Sequence, residues 1–430
     1  MVNHGLNSVA PAGGCAGHLV DAPPRTCAIM TQIEMRESMH RLIELVPIPP
    51  NLFEEIKTRN CVLFSGAGVT TESKREGRST FHEMIKRESA YPRRLGSPSF
   101  PDVMQYFCET MDGGQRSKLI RRIVSRIEDF AIPGEAHRSA TRFYNQVAAI
   151  PFLTRFITTN WDPFLERSLN ILVPIVEDND LPFWDDSKRQ VIKLHGCVTR
   201  PSTIVATRQD YRNCVRKRRL VFNKLKDQIA TKTFLFVGYS MGDRHVRVLI
   251  EETTRRLGPF RRLAYAVDPS ADEKSLKFWR ENHIQVLKLT DIAFIEQLTS
   301  RFQSEGLIPS DQLMAFMGRE LDRIVKVHIS MRQTQEGGIA SAIYQDGLLH
   351  SLEEVLNAPA LGWTFDDYKK ELGECETTLR EMFSIQNIVE IAYFSGWCEV
   401  LRGFCAKALH PFRVYFHPRK HVPIVKYVKR

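Results

Sequence analysis

Short apolar runs recur between about residues 52 and 300. They are Cys61–Phe64, Phe156–Thr158, Val191–Leu194, Phe234–Val237, Leu263–Val267 and Ile284–Leu287. Each has the length and the β-branched or aromatic content of a strand, and longer helix-compatible stretches separate most of them. Runs with no polar alternate belong to strands covered on both faces. The pattern therefore predicts an α/β fold with a Rossmann-like, doubly wound parallel sheet. From about residue 307 the strand signal stops, and segments 311–330, 339–356, 365–383 and 386–409 predict helices punctuated by Gly and Pro. A further helix is predicted over 32–45 and is stopped by Pro47, Pro49 and Pro50. Residues 411–430 alternate aromatic and β-branched residues with Arg, Lys and His, as a final hairpin or an extended arm would. Residues 1 to about 30 show no period and are rich in Gly, Ala, Pro and His. They read as a disordered leader, or as an over-called start with the working chain beginning near Met30. The expected organisation is a leader over 1–30, an α/β domain over 31–305, and a mostly helical assembly or partner domain over 306–430 that ends in a basic arm.

Composition narrows the class without naming a function. The chain has 430 residues, 43% hydrophobic and 26% charged, which suits a folded protein of two or three domains. No run approaches the ~18 uncharged apolar residues of a membrane-spanning helix, and no basic start followed by an apolar core marks a secretory signal. The nine cysteines are scattered, with no C-x-x-C pair. That spacing argues against a four-thiolate zinc module and suits unpaired thiols in a reducing cytoplasm. A net charge of +10 is mild for this length, so its placement matters more than its size. Arg212, Arg216, Lys217, Arg218 and Arg219 form one dense run, and Arg413, Arg419, Lys420, Lys426, Lys429 and Arg430 another. A solvated face or a subunit contact accounts for the first. Edge-strand packing accounts for the aromatics of the second better than base stacking does. Direct nucleic-acid binding is thus open but not favoured.

Candidate chemistry gathers where the predicted strands end. Phe64-Ser65-Gly66-Ala67-Gly68-Val69-Thr70 lets the backbone turn sharply and approach a ligand, with a following helix N-terminus free to hold phosphate. A tight turn with no ligand explains it equally well. Ile157-Thr158-Thr159-Asn160-Trp161-Asp162 puts Asn160 and Asp162 at the carboxyl end of a strand, where open parallel sheets bind ligands. Asp162 is also a suitable N-cap ahead of Pro163. Lys193-Leu194-His195-Gly196 offers an imidazole with space beside it, suited to general-base work near neutral pH, although a lone His at such a place is more often structural. Phe236-Val237-Gly238-Tyr239-Ser240-Met241-Gly242-Asp243 is a fourth small-residue turn.

The order of these turns over residues 50–300 resembles the sirtuin family, especially the sirtuin-like domains of prokaryotic antiviral defence systems. The resemblance implies that Gly66, Ala67 and Gly68, with Thr70 beside them, cradle the NAD pyrophosphate. It implies that Asn160 and His195 are catalytic, that Asp162 contacts the nicotinamide amide, and that Gly238 and Ser240 lie near the ribose and phosphate. Asp268, after the strand ending at Val267, is placed toward the adenosine ribose.

Departures from the family shape the expectation further. Protein-deacylating sirtuins carry two C-x-x-C pairs after the catalytic His, whereas here Cys197 and Cys214 follow singly, so no zinc is expected. The stretch after the first turn, Thr70 to Phe81, is closer to the defence-type members. The resemblance thus implies an NAD⁺ glycohydrolase that yields nicotinamide and ADP-ribose as the toxic effector of an anti-phage abortive-infection system. Such an enzyme needs control, by homo-oligomerisation or by a partner such as a HerA-type ATPase docking on the helices after residue 306. A zinc-free deacylase or ADP-ribosyltransferase, and a non-catalytic NAD or ADP-ribose sensor, are the alternatives.

Overall fold

A computed structural model describes residues 47–70, 80–92, 98–110, 116–239, 243–334 and 338–409. The leader, the helix expected over 32–45, Ser240 and the arm expected over 411–430 lie outside the described residues.

Six strands form one parallel sheet: β1 Cys61–Ser65, β2 Arg155–Thr158, β3 Gln190–Lys193, β4 Thr233–Val237, β5 Ala264–Val267 and β6 Ile284–Leu287. Their order is β3-β2-β1-β4-β5-β6, the doubly wound arrangement expected from the unbroken apolar runs. Side chains alternate between two cores, as a period of two requires. Cys61 and Leu63 face the core that holds Phe156, Val191, Leu235 and Tyr265. Val62 and Phe64 face the one that holds Ile157, Ile192, Phe234 and Phe236. The chain leaves β1 toward one edge of the sheet and leaves β4 toward the other. A crevice opens between their carboxyl ends at such a reversal.

Among the described residues, the connection from β1 to β2 carries four α-helices, Phe81–Glu88, Phe100–Thr110, Arg116–Ala131 and Glu135–Ala148. The last joins the main core through Phe143, Tyr144 and Val147. The first three build a small core of their own on Ile204 and Ala206, which follow β3. A capping box between Thr80 and Glu83 starts the first helix.

Helices Asp311–Thr334, Gly338–Leu361, Phe365–Ser384 and Ile388–Leu409 match the four expected segments. They pack around Met317, Tyr344, Leu348, Tyr368 and Phe404. Two glycines let the second and fourth cross with their backbones in contact. A Cβ on Gly347 would fall 2.1 Å from the Tyr393 carbonyl oxygen, and one on Gly396 would fall 2.2 Å from that of Tyr344. The expectation of unpaired thiols is corrected at one pair: Cys375 and Cys398 form a disulfide, with Cα atoms 6.1 Å apart. They lie 23 residues apart on neighbouring helices, so packing and not a spacing motif brings them together. Among the described residues, no helix is long and apolar enough to cross a membrane.

Candidate functional site

A cavity of about 970 Å³ lies at the carboxyl ends of the strands. That is at the upper end of the range for small-molecule sites, roughly 300–1,000 Å³. Ala67 and Gly68 after β1, Asn160 and Asp162 after β2, His195 after β3, Gly238 after β4 and Asp268 after β5 all line it. The helices between β1 and β2 supply its other wall, including Phe81, His82, Phe100, Arg126 and Phe130. Sheet order therefore gathers into one chamber residues that span two hundred positions of sequence.

The glycines of the first turn have a structural task as well as an open face. Gly66 N donates to Val237 O at 3.0 Å, and Gly68 N donates to Gly238 O at 2.9 Å. A Cβ on Gly66 would meet Gly238 O at 2.4 Å, and one on Gly68 would meet Gly238 Cα at 2.9 Å. Gly238 itself has φ +60°, and a Cβ there would meet Val69 N at 2.6 Å. The β1 and β4 turns thus interlock backbone to backbone, and side chains are excluded by that contact alone.

Asn160 is held from behind by groups that do not line the cavity. Its Nδ2 faces three acceptors: Gly66 O at 3.1 Å, Thr70 Oγ1 at 3.2 Å and the Tyr144 hydroxyl at 3.2 Å. An amide nitrogen has two hydrogens, so one of the three is shared. The Asn160 backbone N–H donates to Thr158 Oγ1 at 3.0 Å. Tyr144 is buried and also meets Ser65 Oγ at 3.1 Å. Burial raises its hydroxyl far above the usual tyrosine range, so it stays neutral. Gly66 and Thr70, expected to touch a ligand, stand behind Asn160 and orient it.

Asp162 combines the two readings open to it. Its Oδ1 accepts from Phe164 N at 3.2 Å, closing a turn across Pro163, and it lines the cavity. Burial pushes its carboxyl up to about 6, against the pull of Lys193 and with the help of Glu166. Lys193 is fully buried, and its ammonium donates to Glu166 at 2.8 and 3.0 Å and to the Asp162 carbonyl. Cys197 Sγ stands 3.5 Å from the same Glu166 carboxylate. Among the described residues no group of three or more His, Cys, Asp or Glu side chains could hold a metal ion.

His195 has a partner that sequence reading assigned no role. Its Nε2 lies 2.5 Å from Asp243 Oδ2, with both side chains almost wholly buried. Burial opposes ionisation of Asp243, but the imidazole and the backbone N–H of Val246 outweigh it and hold the carboxyl down at about 2. The signal in the sequence was an Asp just before a periodic helix, the mark of an N-cap; Asp243 caps helix Arg244–Leu257. Tyr211 sets its ring edge-on to His195, with centroids 5.1 Å apart. Arg218 corrects the reading of the basic run as one solvated face. It is buried and donates to the carbonyls of Leu194 at 2.6 Å and of Thr203, bracing the His195 loop, while Arg212, Arg216, Lys217 and Arg219 are exposed. The run is split because Arg218 sits between helices Arg208–Lys217 and Arg219–Thr231. Asp268 turns back locally, its Oδ1 accepting from Ser270 N at 3.0 Å. Ser240 lies outside the described residues.

A family profile described as a SIR2-like domain matches residues 154–287, from β2 to the end of β6. Over these residues the chain is similar to a SIR2-like domain. The match begins after β1, so it is the sheet that adds the Gly66–Gly68 turn to the SIR2-like strand ends. The NAD(+) hydrolase ThsA of Enterococcus faecium is 27% identical over 208 residues, covering 46% of this chain and 41% of the relative. The protein of the same name from Cytobacillus dafuensis is 27% identical over 207 residues, covering 46% and 39%. That of Bacillus cereus is 25% identical over 210 residues, covering 46% and 40%. The chain spans about two fifths of the length of these curated relatives.

Proposed function

We propose that the chain is an NAD⁺ hydrolase. The observation that carries this reading is the convergence of Asn160, His195, Ala67 and Gly68 on one cavity at the reversal of strand order. The names of the ThsA relatives support the substrate class.

In this mechanism the C–N glycosidic bond of NAD⁺ breaks with its electron pair moving to nicotinamide. That ring is cationic before cleavage and needs little acid assistance. The sugar passes through an oxocarbenium-like state, as in other glycosidic cleavages. Water bonds to the anomeric carbon, and its proton passes to His195 and then to solvent. Asn160 Oδ1 makes no hydrogen bond among the described residues and accepts from the nicotinamide-side ribose or the water. Positioning by the three acceptors behind it lowers the entropic cost of the attack. Asp162 faces the departing nicotinamide amide, and Asp268 faces the adenosine ribose.

Among the described residues, the helices from residue 311 carry no side chain that lines the cavity, and their role in this proposal is control. They dock a regulator or a second copy of the chain, consistent with a toxic effector in antiviral defence that is silent until triggered. A HerA-type ATPase is the partner we favour.

The test incubates pure protein with NAD⁺ and separates the products, for the wild type and for Asn160→Ala and His195→Ala. Loss of a general base costs about 10²–10⁴-fold in rate. Nicotinamide and ADP-ribose should form with the wild type and not measurably with either variant, both remaining folded by circular dichroism. Parental turnover by either variant refutes the assignment.

A further inference from the structure

The contact between His195 and Asp243 decides which nitrogen of the imidazole is basic. Asp243 Oδ1 is committed to capping, since it accepts from His245 N at 2.7 Å and Val246 N at 3.1 Å. These two bonds fix the carboxylate, and its second oxygen, Oδ2, is then 2.5 Å from His195 Nε2. At that distance a bare Nε2 lone pair would face the lone pairs of the carboxylate oxygen, so Nε2 must carry the hydrogen. A neutral imidazole has one N–H, and its other nitrogen keeps a lone pair. That nitrogen, Nδ1, meets the Tyr211 hydroxyl at 3.5 Å, too far for a strong bond of its own. Arg218 fixes the backbone at Leu194, the residue before His195.

We propose that Asp243 is a positioning residue that holds His195 as the Nε2–H tautomer and makes Nδ1 the atom that receives the proton. The proposal deepens the hydrolase reading and rests on it for the role of that proton. The proton leaves the attacking water as its oxygen bonds to the anomeric carbon. On Nδ1 it creates an imidazolium whose positive charge is matched by the Asp243 carboxylate. Return of that proton to solvent restores the dyad.

Asp243→Asn separates this role from capping. The amide oxygen must face His245 N and Val246 N, because an NH₂ group cannot accept. Asn caps helices about as well as Asp, so the helix start survives. The amide NH₂ then faces Nε2 as a donor, and the ring's hydrogen moves to Nδ1. The corresponding exchange in a Ser-His-Asp triad leaves the geometry intact and costs about 10⁴-fold in kcat through the wrong tautomer.

The experiment is long-range ¹H–¹⁵N spectroscopy of the full chain labelled at histidine, with His195 identified by the signals lost in His195→Gln. The wild type should show Nε2–H, and Asp243→Asn should show Nδ1–H. NAD⁺ turnover by Asp243→Asn should fall about 10²–10⁴-fold in kcat with KM changed little. Asp243→Ser, which keeps a capping oxygen and loses the Oδ2 contact, should show a mixture of tautomers. It serves where the Asn variant does not fold. A wild-type ring protonated at Nδ1, or an Asp243→Asn variant of parental kcat, overturns the proposal. The tautomer is read without NAD⁺, so a wild-type chain that leaves NAD⁺ intact sinks the hydrolase reading and leaves the tautomer assignment standing.

Discussion

Asp162→Asn tests whether a cavity carboxylate is kept at a cost to folding. The Asp162 carboxyl is buried, and the nearest cation, Lys193, is already engaged by Glu166. Burial therefore dominates and moves the group from 3.8 to about 6. A folded-state pKa above the unfolded one means that the native protein binds the proton more tightly. Stability then declines as pH rises from about 4 to about 6, and is level above that. At 1.36 kcal/mol per unit, the cost at pH 7.5 is about 3 kcal/mol, and about 1.6 kcal/mol at pH 5. Asn has the same shape, keeps an oxygen for Phe164 N, and carries no charge. Asp162→Asn should therefore be more stable than the wild type, with an advantage that roughly doubles from pH 5 to pH 7.5. Urea denaturation of both proteins at the two pH values measures this. An advantage that is absent, or that does not grow with pH, refutes the burial argument. The same variant should lose NAD⁺ turnover, because its side chain lines the cavity where the proposed substrate reacts.

Two further perturbations probe the scaffold of the site. Glu166→Leu leaves the buried Lys193 ammonium without its counter-charge and should cost about 3–5 kcal/mol in denaturation. Adding Lys193→Met should recover most of that loss, and a single variant as stable as the parent would disprove the pairing. Gly238→Ala puts a side chain at φ +60°, with its Cβ 2.6 Å from Val69 N. The left-handed conformation alone costs about 1–2 kcal/mol, and the interlocked turns must also separate. Melting temperature and NAD⁺ turnover should fall together, and an unchanged melting temperature would show that the turns are not locked.

The six strands, the burial of the inner ones on both faces and the four C-terminal helices were legible from periodicity, because each depends on residues a few positions apart. The chemical residues were legible for a related reason: in a parallel doubly wound sheet, strand ends are where a ligand binds, and Asn160, Asp162 and His195 each follow a strand directly. Tertiary structure decided what stands around them. The Asp243 that faces His195 lies after a different strand, and its local signature is that of a helix cap. Tyr144, which supports Asn160, comes from a helix before β2. Arg218 looked like one more charge in an exposed run until two helices were seen to meet at it and bury it. Cys375 and Cys398 carry no motif and meet through helix packing. The glycines of the first turn were readable as necessary, but half of the reason, the close approach of Gly238, belongs to another strand. Local pattern determines elements, because hydrophobic period and turn chemistry act over short stretches. Partners tens of residues away are chosen only when strand order and register bring their backbones together.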